Sequence, residues 1–230
     1  MTASYERVAG VGRIRLDDGR ANALSFAMID AIQHALDEAE KDPGAVVLEG
    51  RPGRFCAGFD LSVMGQGGDA MRDLVRNGAE LCLRLLEYPK PVVAACTGHA
   101  LAAGILLVAC CDFRVGARGA FKLGLNEVAI GLPLPHFARE IARERVSKRH
   151  LDRAALHAEI YDPQGALDAG FLDALAEPDA LSGAAMEHAL RLSGLDADAF
   201  AHTKRALHAD AVSRIRDELA REAGAAAGRA

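Results

Sequence analysis

Backbone amides and a single carboxylate are the groups through which this sequence can do chemistry. Phe55-Cys56-Ala57-Gly58-Phe59-Asp60-Leu61 is a small-residue turn leading out of the apolar run Ala45-Val46-Val47-Leu48. Further on, Pro89-Lys90-Pro91 opens an apolar stretch ending at Gly98. His99-Ala100-Leu101-Ala102-Ala103-Gly104 follows and leads into a helix-like run that reaches Cys111-Asp112. Gly124-Leu125-Asn126-Glu127-Val128 then supplies a lone carboxylate. Small residues let a ligand approach the main chain, and a helix start offers N–H groups without intrahelical acceptors plus a favourable dipole. Two such N–H groups aimed at a carbonyl oxygen stabilise the enolate that forms when the neighbouring carbon loses a proton. Removing one donor of this kind typically costs about 3–4 kcal/mol. Two amide-bearing turns followed by a carboxylate therefore read as an oxyanion site with one group placed to move protons.

Regular elements must hold these runs in place. Residues 8–16 alternate in the manner of one half-exposed strand, broken by Gly10 and Gly12, and Asp17-Asp18-Gly19-Arg20 is a turn. Ser25 is the expected N-cap of a helix over residues 26–41 with Met28, Ile29, Ile32, Leu36 and Ala39 on one side, and Pro43-Gly44 stops it. Residues 45–48 read as a buried parallel strand. Gly65-Gln66-Gly67-Gly68 reads as a mobile loop before a helix over 69–87. Residues 92–96 and 113–115 are further strands with the helix from Ala103 between them, an order that implies right-handed crossovers and a parallel sheet. From about Pro135 the pattern is wholly helical. Ser147, Asp162-Pro163 and Asp196 mark helix starts, and Gly170 and Gly194 mark stops. Segments 164–170 and 197–208 are short and amphipathic, and Gly224 to Gly228 should fray.

Composition bounds the function. A chain of 230 residues fits one domain with a sizeable core, and a hydrophobic fraction of 50% makes it globular. A net charge of −5 gives no general attraction to nucleic acid or to an anionic membrane. No apolar stretch reaches the ~20 residues needed to span a bilayer. Met1-Thr2-Ala3-Ser4-Tyr5-Glu6 lacks the basic and hydrophobic regions of a signal peptide. Five cysteines (Cys56, Cys82, Cys96, Cys110, Cys111) without a C-x-x-C pair point to a reducing cytoplasm, and their apolar neighbours point to packing. The eight histidines form no H-E-x-x-H pattern, so no catalytic metal is expected. The Gly-rich runs lack both the dinucleotide fingerprint and the phosphate-loop Lys, which disfavours NAD and ATP.

In order and spacing the runs quoted above resemble the crotonase (enoyl-CoA hydratase/isomerase) superfamily. The resemblance covers roughly the whole chain and is strongest between Ala21 and Gly131. It implies an α/β fold: a crotonase-like spiral of ββα units over residues 1–134, and a helical C-terminal region over 135–230 involved in packing and oligomerisation. It also implies an acyl-CoA thioester substrate, with coenzyme A part of the substrate and no separate cofactor, and a homotrimer or dimer of trimers. By resemblance the oxyanion donors are the N–H groups of Phe59 and Ala103, although the family commonly has a glycine triplet where this chain has Ala102-Ala103-Gly104. Glu127 would act as general acid/base beside the thioester α-carbon. That role needs a raised pKa, which burial near an apolar acyl chain provides.

Hydratases of the family carry a second Glu where this chain has Leu106. Hydration must hold a water, deprotonate it and deliver its other proton, work usually shared by two carboxylates. Moving a double bond from position 3 to position 2 needs only one. Leu106 together with Gly-Leu-Asn-Glu resembles the mitochondrial-type Δ3,Δ2-enoyl-CoA isomerases. A 2-enoyl-CoA hydratase, or another lyase or hydrolase of the superfamily, is the enzymatic alternative. An acyl-CoA-binding or RNA-binding member is the non-enzymatic one, against which stand Glu127 and the lack of a basic stripe with interleaved aromatics.

The resemblance extends to substrate contacts. Ala21, Ala57 and Phe59 would offer backbone groups to adenine or pantetheine. Gly58 and Leu61 belong to the oxyanion turn, which Asp60 caps or hydrogen-bonds. Arg54 and Lys90 are candidates for the CoA phosphates, and Lys204 sits where the family often has a Lys near the nucleotide. Leu132 and its bulky neighbours reshape the acyl pocket. His136 either hydrogen-bonds a substrate group or is a surface histidine at a helix start.

Overall fold

Ala9 and Gly10 both have left-handed backbones (φ 49° and 87°), the geometry of a tight hairpin turn whose twist matches the strands it joins. They fold β1 (Ala3–Val8) antiparallel onto β2 (Val11–Leu16), with Val8 opposite Val11. The single strand expected over residues 8–16 is thus a hairpin, because Gly10 turns the chain instead of interrupting a strand. The structure is a computed structural model and describes residues 2–227.

Ser25 Oγ accepts the Met28 N–H at 3.2 Å and starts α1 (Phe26–Lys41), whose apolar face is buried as its periodicity requires. From there the chain lays down strands in pairs. β3 (Val46–Glu49) is buried throughout and runs parallel to β2, while β4 (Gly53–Cys56) opens a second sheet. α2 (Leu61–Met64) and α3 (Gly68–Glu87) lead back to β5 (Val92–Cys96), parallel to β3, and β6 (Gly98–Leu101), parallel to β4. α4 (Ala103–Ala109) then leads to β7 (Phe113–Ala117) beside β5 and β8 (Leu123–Gly124) beside β6. Each turn of the chain adds one strand to each sheet, which is the crotonase-like α/β spiral.

Helices α5 (His136–Arg145), α6 (Leu151–Ala155), α7 (Pro163–Ala169), α8 (Leu181–Ser193) and α9 (Ala197–Ala227) follow. The wholly helical pattern expected after Pro135 is interrupted by β9 (Ala174–Ala176), which pairs parallel with β7 and completes the sheet order β1-β2-β3-β5-β7-β9. Ala-Leu-Ala is too short to show alternation, and only the waiting edge of β7 makes it a strand. Asp162 and Asp196 cap helices as expected, and Gly170 ends α7 with φ 93°. Ser147 does not: its carbonyl accepts the His150 N–H in a turn, and α6 begins later.

The expected segment 197–208 is only the first part of α9. Its buried positions (Ala201, Lys204, His208, Ala211, Val212, Ile215) recur at helical spacing, but a Lys and a His among them hide the stripe from a hydrophobicity reading. The helix continues through the expected frayed stretch from Gly224 to Ala227, and Gly228 lies outside the described residues. α9 packs on α3 and α5. Alternate residues of β3 and β5 feed two cores. Val46, Leu48, Val92 and Ala94 join the main one with α1, α3 and α4, while Val47, Val93 and Ala95 lie under α8. Strands covered on both faces explain the unbroken apolar runs in the sequence.

Candidate active site

β4 delivers Cys56 into the core, and the next residues are tied to the segment before α1. The Ala57 N–H donates to Ala21 O at 3.1 Å, the Leu24 N–H to Gly58 O at 2.8 Å, and the Asp60 N–H to Leu24 O at 3.1 Å. Leu24 and Phe59 thereby form a parallel bridge that uses the groups flanking Phe59. The N–H of Phe59 itself points away from Leu24 and has no hydrogen-bond partner among the described residues. α4 arrives against the same turn. A Cβ on Gly58, whose φ is +92°, would sit 2.8 Å from Ala102 Cβ and 3.5 Å from Ala103 N. One on Gly104 would sit 2.2 Å from Cys56 O. Glycine at both places lets the two backbones touch. Ala103 is the first residue of α4, so its N–H has no intrahelical acceptor. The expected donors, Phe59 and Ala103, are therefore brought together across the Gly58–Ala102 contact.

The carboxylate comes from the third strand of the small sheet. β8 pairs with β6, and Ala102 N–H donates to Gly124 O at 2.9 Å, which locks residues 124–127 beside the start of α4. Glu127 opens a 3-10 turn (Val128–Ile130), and its carbonyl accepts the Leu132 N–H at 2.9 Å. The side chain is half-buried, and Oε2 is sealed from water with no hydrogen-bond partner among the described residues. Burial raises its pKa above the ordinary 4.5, with the N–H groups of Glu127 and Asn126 offsetting only part.

Ala57, Phe59, Ala102, Leu106 and Glu127 line one cavity of about 1000 Å³. Leu106 is 1% exposed, so the place of a second carboxylate is apolar wall. Met64, Met71, Val75, Leu132, Leu134 and Phe137 continue the apolar lining. His136, the first residue of α5, is on this wall and not on open surface. Leu61 lies at the edge, 74% exposed.

Other expected contacts are placed elsewhere. Asp60 caps α2: its Oδ1 accepts from Ser62 Oγ at 2.7 Å and Ser62 N at 2.8 Å, bonds that hold its pKa down. The Ala57 N–H is taken by the Ala21 carbonyl, so Ala57 meets the cavity without a free amide. Arg54 is exposed on β4, off the cavity wall, and donates to Gly53 O. Lys90 is not a phosphate ligand: its Nζ binds the carbonyls of Ala39 (2.8 Å), Glu40 (2.7 Å) and Asp42 at the C-terminus of α1, where a cation offsets the helix dipole. Lys204 is 4% exposed, with Nζ 2.6 Å from Asp112 Oδ2, an oxygen that also accepts the Val92 N–H. It anchors α9 to the core and is closed to a nucleotide.

The cavity also uses residues that the sequence did not single out. Asn126 lines it with a sealed, unpartnered Oδ1, and its place beside Glu127 in the quoted run was a usable signal. Glu218 and Glu222 reach the cavity from α9, and no local signal announces them.

Residues 6–226 match the family model described as enoyl-CoA hydratase/isomerase. Among solved structures, an apo enoyl-CoA isomerase from Mycobacterium tuberculosis is 41% identical, with a TM-score of 0.91 over 95% of this chain and 96% of that one. An enoyl-CoA hydratase from Mycobacterium marinum is 39% identical, with a TM-score of 0.91 over 95% and 96%. The mitochondrial enoyl-CoA delta isomerase 1 of Mus musculus is 31% identical over 179 residues, 76% of this chain. The match covers 62% of the mouse protein, so the chain spans less than two thirds of that relative's length. With that family model matched over nearly the whole chain, the chain belongs to the enoyl-CoA hydratase/isomerase family.

Proposed function

We propose that this chain is a Δ3,Δ2-enoyl-CoA isomerase. The supporting observation is the cavity's pairing of the Glu127 carboxylate, whose Oε2 is sealed and without a partner among the described residues, with apolar Leu106 where the resemblance puts a second carboxylate. Glu127 takes a proton from C2 of a 3-enoyl thioester. The electron pair of that C–H bond spreads through the thioester as a dienolate, whose oxygen accepts the N–H groups of Phe59 and Ala103. Protonation at C4 then restores the carbonyl and leaves the double bond between C2 and C3. Leu106 and its apolar neighbours hold the acyl chain and put no second carboxylate at that point of the wall.

A hydratase reading has the names of several similar chains in its favour, the Mycobacterium marinum one among them. Separate incubation with 3-enoyl-CoA and trans-2-enoyl-CoA distinguishes the two. Conjugation of the first should outrun water addition to the second, and hydration faster by tenfold or more overturns the isomerase reading. The same proposal includes assembly as a homotrimer or a dimer of trimers, supported by large apolar side chains exposed at Leu156 (64%) and Leu207 (71%), and checked by sedimentation.

A further inference from the structure

Glu127 projects from a strand too short to hold its own position. β8 is two residues long, and β6 secures one side of it. There the Ala100 N–H donates to Lys122 O at 3.0 Å and the Ala102 N–H to Gly124 O at 2.9 Å. A second neighbour, outside the sheet order, holds the other side. Leu123 donates its N–H to Tyr161 O at 2.9 Å and accepts the Tyr161 N–H on its own O at 2.8 Å, an antiparallel bridge. Gly124 lets this segment lie close on the strand: its φ is +151°, and a Cβ there would stand 2.8 Å from Glu159 O and 3.2 Å from Ile160 Cδ1. Residues 159–161 thus form a strap across the outside of the strand that carries the carboxylate.

The strap is tied at both ends. Tyr161 is buried, and Asp162 beside it caps α7 by accepting the Gly165 N–H at 2.7 Å. At the other end, Arg153 of α6 grips Glu159. The Glu159 carboxylate accepts Arg153 Nε and Nη2, both at 2.6 Å, and the Glu159 N–H donates to Arg153 O at 3.0 Å. Two parallel N–H···O bonds fix direction as well as distance, which a point charge would not.

We infer that Glu159 is a positioning residue, holding the strap against β8 and so fixing where Glu127 places its carboxylate. The inference rests on the reading of Glu127 as the acid/base group. Its route is main chain throughout: from Glu159 to Tyr161, across the bridge to Leu123, and along residues 124–126 to Glu127. Leu125 is buried in the close-packed core, which transmits a shift rather than absorbing it. With the strap loosened, the carboxylate drifts from the substrate's C2 and water reaches the sealed Oε2.

Kinetics of the full chain with 3-enoyl-CoA test this. Glu159→Ala should lower kcat about tenfold with KM within about twofold, less than the ~10²-fold of a full ångström's misplacement because the Tyr161 bridge survives. The pH profile is the readout that a merely structural role would leave alone. kcat falls as Glu127 takes up a proton, and burial holds its pKa above 4.5. Admitting water should move that acid limb to lower pH. Arg153→Ala should match Glu159→Ala, and the double variant should be no worse than either. Exchanging the pair, Arg153→Glu with Glu159→Arg, should restore much of the lost kcat. Both side chains are partly exposed, so these variants should fold. A kcat within about twofold of the parent, or a loss with the acid limb unmoved, overturns the proposal. Glu127→Gln as active as the parent overturns the acid/base reading itself, and the positioning role with it.

Discussion

On one side of the cavity the wall is main chain, and on the other it is side chain. The first is made where Cys56–Phe59, Ala102–Gly104 and residues 124–127 touch backbone to backbone, and it carries Glu127. The second is made by α5 and α9, where Glu140 is clasped by Arg143 and Arg214. Both glutamates are drawn in from water, but among the described residues Glu127 forms no ion pair and Glu140 forms two with arginines. The first is pushed toward holding a proton and the second away from it. Burial alone therefore does not make a carboxylate chemical; burial without a partner does.

Removing the unpartnered group should have the largest effect. Glu127→Gln keeps size and hydrogen bonding but cannot carry a proton, so kcat should fall by about 10²–10⁴ with KM nearly unchanged. Steady-state kinetics with 3-enoyl-CoA checks this, and activity within a few-fold of the parent removes Glu127 from the mechanism. Next comes the backbone contact that supports it. Gly104→Ala forces a methyl to within 2.2 Å of Cys56 O, which only main-chain movement relieves. Overpacking of this kind costs about 3 kcal/mol, at the upper end of its usual range. It should also splay the two oxyanion turns, lowering kcat together with the urea midpoint. A stable, fully active Gly104→Ala would mean that the turns are not held by this contact.

On the other wall the expected loss is in stability. Glu140→Gln leaves Arg143 and Arg214 facing a neutral amide and should cost about 1–2 kcal/mol in urea unfolding. That is less than for a sealed ion pair, because the arginine side chains are 58% and 49% exposed. An unchanged midpoint would show that α9 is held without help from Glu140, by packing and by its other pairs, Lys204–Asp112 and Arg216–Glu87 among them.

The main-chain wall was legible in the sequence and the side-chain wall was not, for a physical reason. Close backbone approach demands Gly and Ala at particular places, so Gly58 and Gly104 advertise it locally. Leu106 likewise announces an apolar wall by its residue type. The partners of a long side chain carry no such mark. Lys90 finds its carbonyls at residues 39–42, and Lys204 finds Asp112, only after the sheets have formed. Each therefore read as a free cation. In the fold, α1 was readable from Ser25 and one apolar face. β9 needed the edge of β7, and the length of α9 needed the surfaces of α3 and α5.

The smallest effect is the most direct comparison of the two glutamates, because it asks for a sign. Glu127 has a raised pKa in the folded chain, so it binds its proton more tightly there than when unfolded. Its contribution to stability is complete below the unfolded value near 4.5 and is lost as pH rises through the folded value. Glu140 has a lowered pKa, so its contribution is present above that same unfolded value and is lost as pH falls through the folded one. Replacing each with Gln removes its own dependence. Relative to the parent, Glu127→Gln should therefore gain stability between about pH 4 and about pH 7, and Glu140→Gln should lose it over the same span. Urea unfolding of the parent and both variants at the two pH values gives the two differences. Equal signs would mean that the two carboxylates sit in like environments, and the contrast between an unpartnered and a clasped glutamate would not survive.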